Sequence, residues 1–160
     1  MQMNIIQEAS SDAIEALIPI LLQAEESERA LRWGLANLVD SVYQMDIDGK
    51  PAAAATVQWR NDPAEIIELA VAPNLHGQGY GRRMLQSIID LARQRGKQRL
   101  IVGTANSSIG NIAFYQKCGF RMESVRRDYF WYYREPIYEH GIRIRDMLVF
   151  SYDLREDQAS

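Results

Sequence analysis

Three glycines at alternate positions, within His76-Gly77-Gln78-Gly79-Tyr80-Gly81, are the residues whose spacing speaks most directly of chemistry. They stand between an apolar run ending at Val71 and an amphipathic segment that begins at about Arg82. Without Cβ atoms the chain can take positive φ there and let a ligand approach the backbone closely. A helix starting behind such a turn offers unpaired N–H groups and a positive dipole end, a seat for a phosphate or pyrophosphate. Arg82 and Arg83 fall in its first turn, where the dipole alone disfavours cations and an anionic ligand would give them a role. A plain strand-to-helix turn with surface arginines explains one glycine better than three. Spacing then narrows the ligand. A dinucleotide turn needs G-x-G-x-x-G, and Arg82 and Met84 stand where its third glycine would fall; the Gly-Lys-Ser/Thr of a nucleotide-triphosphate loop is absent.

The glycine turn follows Glu68-Leu69-Ala70-Val71-Ala72-Pro73, and in that setting it resembles the GNAT superfamily of N-acetyltransferases. A second motif agrees. Asn111-Ile112-Ala113-Phe114-Tyr115-Gln116-Lys117-Cys118-Gly119-Phe120 looks like the helix and following strand that close the cofactor site in these enzymes, so the two motifs cover residues 66 to 120. The resemblance implies acetyl-CoA as cosubstrate and no metal. Its pyrophosphate would be held by backbone N–H groups of Gly77, Gln78, Gly79, Tyr80, Gly81 and Arg82. The strand end, at Leu69, Ala70 and Val71, would carry a bulge and receive the pantetheine arm. Two positions depart from the family pattern. His76 stands where Gln or Arg is usual, and Ser108 replaces the Asn expected seven residues before Tyr115, with Asn106 and Asn111 nearby as cofactor contacts.

Tyr115 matches the position whose phenol faces the cofactor and protonates the leaving sulfur. An unperturbed tyrosine, with a pKa of ~10, is protonated at neutral pH and can serve as an acid. For the base, Glu65 and Glu68 both lie on the strand leading to the turn. Their separation is odd, so in a regular strand they face opposite sides and only one reaches the site. The reading leans to Glu68, with water as the alternative. The Val71 N–H could polarise the thioester oxygen. The implied activity is direct transfer, in a ternary complex, of an acetyl group to a primary amine of a small molecule or peptide. The alternative is a non-catalytic acyl-CoA-binding module. Cys118, between Lys117 and Gly119, reads as packing before it reads as a nucleophile, and His76 and His140 are too few for a metal site.

The positioning elements follow from periodicity and punctuation. Met3–Glu8 reads as a strand, and Ser10, Ser11 and Asp12 as caps to a helix with the stripe Ile14, Leu17, Ile18, Leu21 and Leu22, in which Pro19 is a local conflict. A looser helix runs from Glu26 to Val39. Val42–Ile47 and Ala52–Trp59 form a hairpin about Asp48-Gly49, and Ile66–Val71 reads as a strand buried on both faces. Met84, Leu85, Ile88, Ile89 and Ala92 trace a helix ended by Gly96. Leu100–Thr104, a helix over Asn111–Lys117, a strand over Phe120–Arg126, an aromatic loop over 129–142, a last strand over Ile144–Tyr152 and a frayed tail from Arg155 complete the chain. The expected fold class is α/β (α+β): a mixed, mostly antiparallel sheet with helices on both faces. The resemblance adds a parallel splayed strand pair at the cofactor site.

The 160 residues are 47% hydrophobic and 24% charged, as expected of one domain spanning 1–160. Eighteen basic residues against 21 acidic ones, a net charge of −3, give no electrostatic case for nucleic acid or an anionic membrane. One cysteine, and no apolar run near ~20 residues, suggest a cytoplasmic protein. Arg93, Arg95, Lys97 and Arg99 read as a solvated helix end, one of them able to meet the adenosine phosphate. Tyr129-Phe130-Trp131-Tyr132-Tyr133 and the carboxylates after it read equally as a border of the acceptor site, with Glu25, Glu26 and Glu28 adding to its field, or as a homodimer contact or a loop packed on the core.

Overall fold

The computed structural model describes residues 6–155, and the chain divides into two compact units, one running to Lys97 and one from Gln98. Met3 to Ile5 of the first expected strand, and the tail beyond Arg155, lie outside the described residues.

The first unit opens with a short strand β1 (Gln7–Glu8), helix α1 (Ser11–Leu21) and helix α2 (Glu28–Asn37). Ser10 occupies the N-cap of α1 without a side-chain cap bond, and Pro19 lies inside the helix, which ends two residues later at Leu21. That placement limits the loss to one N–H near the helix end. In α2 the Ser27 hydroxyl caps the amide of Ala30 at 3.1 Å, and the Ser27 amide bonds Glu25 Oε1 at 3.0 Å. Strands β2 (Ser41–Ile47), β3 (Lys50–Gln58) and β4 (Ala64–Val71) form an antiparallel meander, with β1 paired on β2. Asp48 (φ 51°) and Gly49 (φ 77°) both adopt the left-handed conformation that the tight hairpin turn requires.

Each face of the meander carries helices. Leu17, Ile18, Leu21 and Leu31 of α1 and α2 pack with Val42, Ala54 and Ala70. Helix α3 (Tyr80–Gln94) packs on β3 and β4 from the other side, where Arg95 just beyond it lies 4.6 Å from the Trp59 ring centroid and Trp59 meets Tyr43. Its stripe Met84, Leu85, Ile88, Ile89 and Ala92 is at most 1% exposed. Burial of each large side chain stabilises the fold by roughly 1.5–3 kcal/mol.

Strand β4 departs from expectation. Burial alternates along it instead of covering both faces. The register passes from Thr56↔Glu68 to Val57↔Ile66, so Ile67 is an extra residue, a bulge. The family resemblance placed a bulge at Leu69–Val71, but those residues pair regularly with Ala55, Ala54 and Ala53.

The second unit is a three-stranded antiparallel sheet in which β9 (Met147–Asp153) lies between β5 (Arg99–Ala105) and β6 (Arg121–Arg126). Helix α4 (Ile109–Lys117) is ended by Gly119, whose φ is 95° and where a Cβ would lie 3.1 Å from the Tyr152 ring. The expected loop over 129–142 contains a small hairpin, β7 (Tyr138–Glu139) and β8 (Ile142–Arg143), turned by His140 (φ 54°) and Gly141 (φ 74°). The last strand begins at Met147, not Ile144, because the Ile144 amide bonds the Ile137 carbonyl and Asn106 captures the amides of Arg145 and Asp146. Among the described residues no helix is long and apolar enough to cross a membrane.

Candidate active site

In the first unit the glycine turn has the geometry of an anion cradle. A 3-10 turn at Pro73–Leu75 leads to Gly77 (φ 77°) and to Gly79 (φ 87°), the N-cap of α3. A Cβ at either glycine would meet nothing within 4 Å, and Gly79, lacking a side chain, gives the helix no side-chain cap. The amides of the first turn, at Gly81 and Arg82 among others, have no carbonyl one turn earlier to bond. These features fit a pyrophosphate. His76 behaves differently from the Gln or Arg of the family: its Nε2 donates to the Val71 carbonyl at 2.8 Å. With Nε2–H so engaged, the neutral ring presents only an acceptor at Nδ1, and it can donate to a phosphate only as imidazolium.

The bulge decides the carboxylates. Glu65 stands opposite Gln58 and Glu68 opposite Thr56. Gln58 and Thr56 are two residues apart on β3, so both glutamates lie on one face, the α1/α2 face. The expectation that they face opposite sides is overturned by the single inserted residue Ile67. Glu68 is 7% exposed. Its Oε2 accepts the Thr56 hydroxyl, its amide donates to Thr56 Oγ1 at 2.9 Å, and Oε1 lies 3.9 Å from where a Cβ on Gly34 would stand. Burial, opposed by the Thr56 hydrogen bond and reinforced by the negative charges of Glu25 and Glu65, pushes its pKa up to about 7.

In the second unit Tyr115 is 4% exposed and ringed by Phe114, Phe120 and Phe150, with centroids at 5.2, 5.8 and 5.9 Å. Burial holds its phenol well above the ordinary tyrosine value. Asn111 Nδ2 donates to Thr104 Oγ1 at 3.3 Å on an exposed position at the start of α4. Asn106 is engaged elsewhere: its Oδ1 accepts from Arg145 and Asp146 and its Nδ2 donates to the Arg143 carbonyl, which clips the end of β5 to the approach of β9. It therefore reads as a structural residue. Ser108, in the place of the family Asn, donates with Ser107 to Glu139 Oε1, at 2.7 and 3.1 Å. Cys118 is the C-cap of α4.

The solvated basic end is more engaged than its sequence suggested. Lys97 Nζ donates to the Trp59 carbonyl at 2.6 Å, Arg93 pairs with Asp90, and Arg99 pairs with Glu123. Phe130 stacks on Tyr133 within a self-packed aromatic cluster that leaves Trp131 82% exposed. Sequence reasoning passed over Thr56 and Gly34, and read Glu139 among the carboxylates after the aromatic run, not as the partner of Ser107 and Ser108. Both of the residues passed over carry a signal: a lone hydroxyl in Ala52–Val57, and a glycine inside a helix, each ask for a reason.

The Acetyltransferase (GNAT) family pattern matches residues 7–120. The uncharacterized N-acetyltransferase YvbK of Bacillus subtilis is 38% identical over 99 residues, which are 61% of this chain and 64%, just under two thirds, of that relative. Among solved structures, the IAA acetyltransferase from Bacillus cereus superposes with a TM-score of 0.85 at 33% identity, covering 96% of this chain and 100% of that one. A GNAT family acetyltransferase from Elizabethkingia anophelis with acetyl-CoA bound superposes with a TM-score of 0.85 at 27% identity, covering 95% and 98%. The mixed, mostly antiparallel α/β fold is shared with them.

Proposed function

Given that the chain belongs to the acetyltransferase (GNAT) family, we propose that it transfers an acetyl group to a primary amine of a small molecule or peptide, by direct attack in a ternary complex. Bound acetyl-CoA supplies an acyl thioester. The open turn from Gly77 to Arg82 holds its pyrophosphate through backbone amides, with Asn111 as a further contact and the strand end Leu69–Val71 receiving the pantetheine arm.

The observation that carries the reading is Glu68. A carboxylate near its ordinary value would be a poor base for an ammonium at neutral pH. One raised to about 7 accepts a proton readily and is still half ionised there. Glu68 takes the amine's proton, directly or through water. Glu65, on the same face, acts through its charge. Tyr115 keeps its proton across the working range and offers it to the departing sulfur. Placing the two reactants together supplies much of the rate.

Thiol release from acetyl-CoA over a panel of amines (a polyamine, free amino acids, an aminoglycoside and a peptide N-terminus) tests this. Turnover on one class with intersecting initial-velocity lines is expected. Parallel lines would replace direct transfer by a covalent relay, for which Cys118 is the candidate nucleophile. Tight acetyl-CoA binding with no turnover on any amine would make the chain a binding module.

A further inference from the structure

The two oxygens of Glu68 are held in unlike surroundings. Oε2 accepts the hydroxyl of Thr56, and the same hydroxyl oxygen accepts the Glu68 amide at 2.9 Å. Thr56 thus donates to the side chain and accepts from the backbone of one residue, which fixes its rotor. It is fully buried, directly opposite Glu68 in register, and follows four alanines, Ala52 to Ala55. Oε1 points the other way, under α2, at the position where that helix carries Gly34 instead of a side chain. A glycine inside a helix costs about 1 kcal/mol relative to alanine. Here it sets backbone without a side chain beside Oε1 of a carboxylate that is 7% exposed.

Resting on the assignment of Glu68 as the base, we propose that Thr56 is a positioning residue that pins Oε2 inward, so that Oε1 beneath Gly34 is the oxygen that takes the acceptor amine's proton. The N–H bond of the acceptor ammonium breaks and its electron pair stays on nitrogen for attack, while an O–H bond forms at Oε1 with that proton or with one released by a bridging water that has taken it up. Around Glu68, β3 contributes the Thr56 hydroxyl and α2 the bare Gly34, while the charges bearing on it are Glu25 from the α1–α2 connection and Glu65 from β4. Only the hydroxyl favours the ionised form, so its removal must move the titration upward.

The test is the pH dependence of acetylation with the most active amine of the panel, on Thr56→Val, Thr56→Ser, Glu68→Gln and Gly34→Ala. Thr56→Val is expected to shift the acidic limb up by about one pH unit and to lower turnover at neutrality about fivefold, the effect of losing one hydrogen bond to a charged group. Thr56→Ser, which keeps the hydroxyl, should hold the limb in place. Gly34→Ala, which strengthens the helix and folds, should raise the KM for the amine several-fold while the limb stays fixed. If Glu68→Gln abolishes the limb but Thr56→Val leaves it unmoved, the positioning role is wrong and the base stands. An unchanged amine KM in Gly34→Ala would remove Oε1 as the reacting edge. A limb that survives Glu68→Gln would instead overturn the base assignment itself.

Discussion

Glu68 in the first unit and Tyr115 in the second are both buried, and burial raises both pKa values, yet the chemical results are opposite. A carboxylic acid starts below neutrality, so desolvation carries Glu68 into the working range at about 7. A phenol starts above it, so the same cause carries Tyr115 further out of reach. In the proposed mechanism the first is the titrating base and the second a donor that keeps its proton. Their surroundings follow the same division. Glu68 has a hydroxyl and two neighbouring carboxylates, whereas Tyr115 has three phenyl rings. The difference teaches that the polarity of the cage, and not its dryness alone, sets how far each shift goes.

The sharpest break of this comparison is Tyr115→Phe. It leaves the ring cage intact and removes only the hydroxyl, so turnover should fall about 100-fold with acetyl-CoA affinity unchanged. Steady-state kinetics with a binding titration checks it, and retained turnover would reduce Tyr115 to packing. Glu68→Gln should lower turnover roughly tenfold or more and flatten the acidic limb expected near pH 7 for the wild type. The alkaline side should carry no limb from Tyr115 below the ordinary tyrosine range.

The same substitution has a smaller effect on stability, with a definite sign. A carboxyl whose folded pKa is raised keeps its proton in the native state between about 4.5, its ordinary value, and about 7. The native state therefore binds more protons than the unfolded one in that window, and stability falls as pH rises through it. Glu68→Gln should match the wild type below pH 4.5 and exceed it above pH 7, by on the order of 2 kcal/mol, in denaturant melts at the two pH values. Least of all, Gly79→Ala at φ 87° should cost about 1 kcal/mol of backbone strain and weaken acetyl-CoA binding several-fold, with the pH profile unchanged.

Much of the frame was legible from local signals. The α3 stripe, the Asp48-Gly49 hairpin and the glycine stops at Gly96 and Gly119 are all decided within a few residues of chain. The site was legible as a set of residue types but not as an arrangement. Whether Glu65 and Glu68 share a face depends on how β4 pairs with β3, and nothing in Glu65-Ile66-Ile67-Glu68 marks the inserted residue. Asn106 looked like a ligand contact because its real partners, Arg143, Arg145 and Asp146, lie some forty residues away. The β7–β8 hairpin was hidden for a related reason: His140-Gly141 is a weaker turn signal than Asp48-Gly49, and its strands are two residues each.

The Ile67 bulge also sets a rule of parity. Upstream of it, even-numbered residues of β4 turn toward α3; downstream, they turn toward α1 and α2. A library that alternates polar and apolar residues straight through the strand would thus be correctly phased on only one side of Ile67. Deleting that one residue would leave the two glutamates two positions apart in a regular strand, still on one face; keeping it but losing the bulge would set the carboxylates back to back across the sheet.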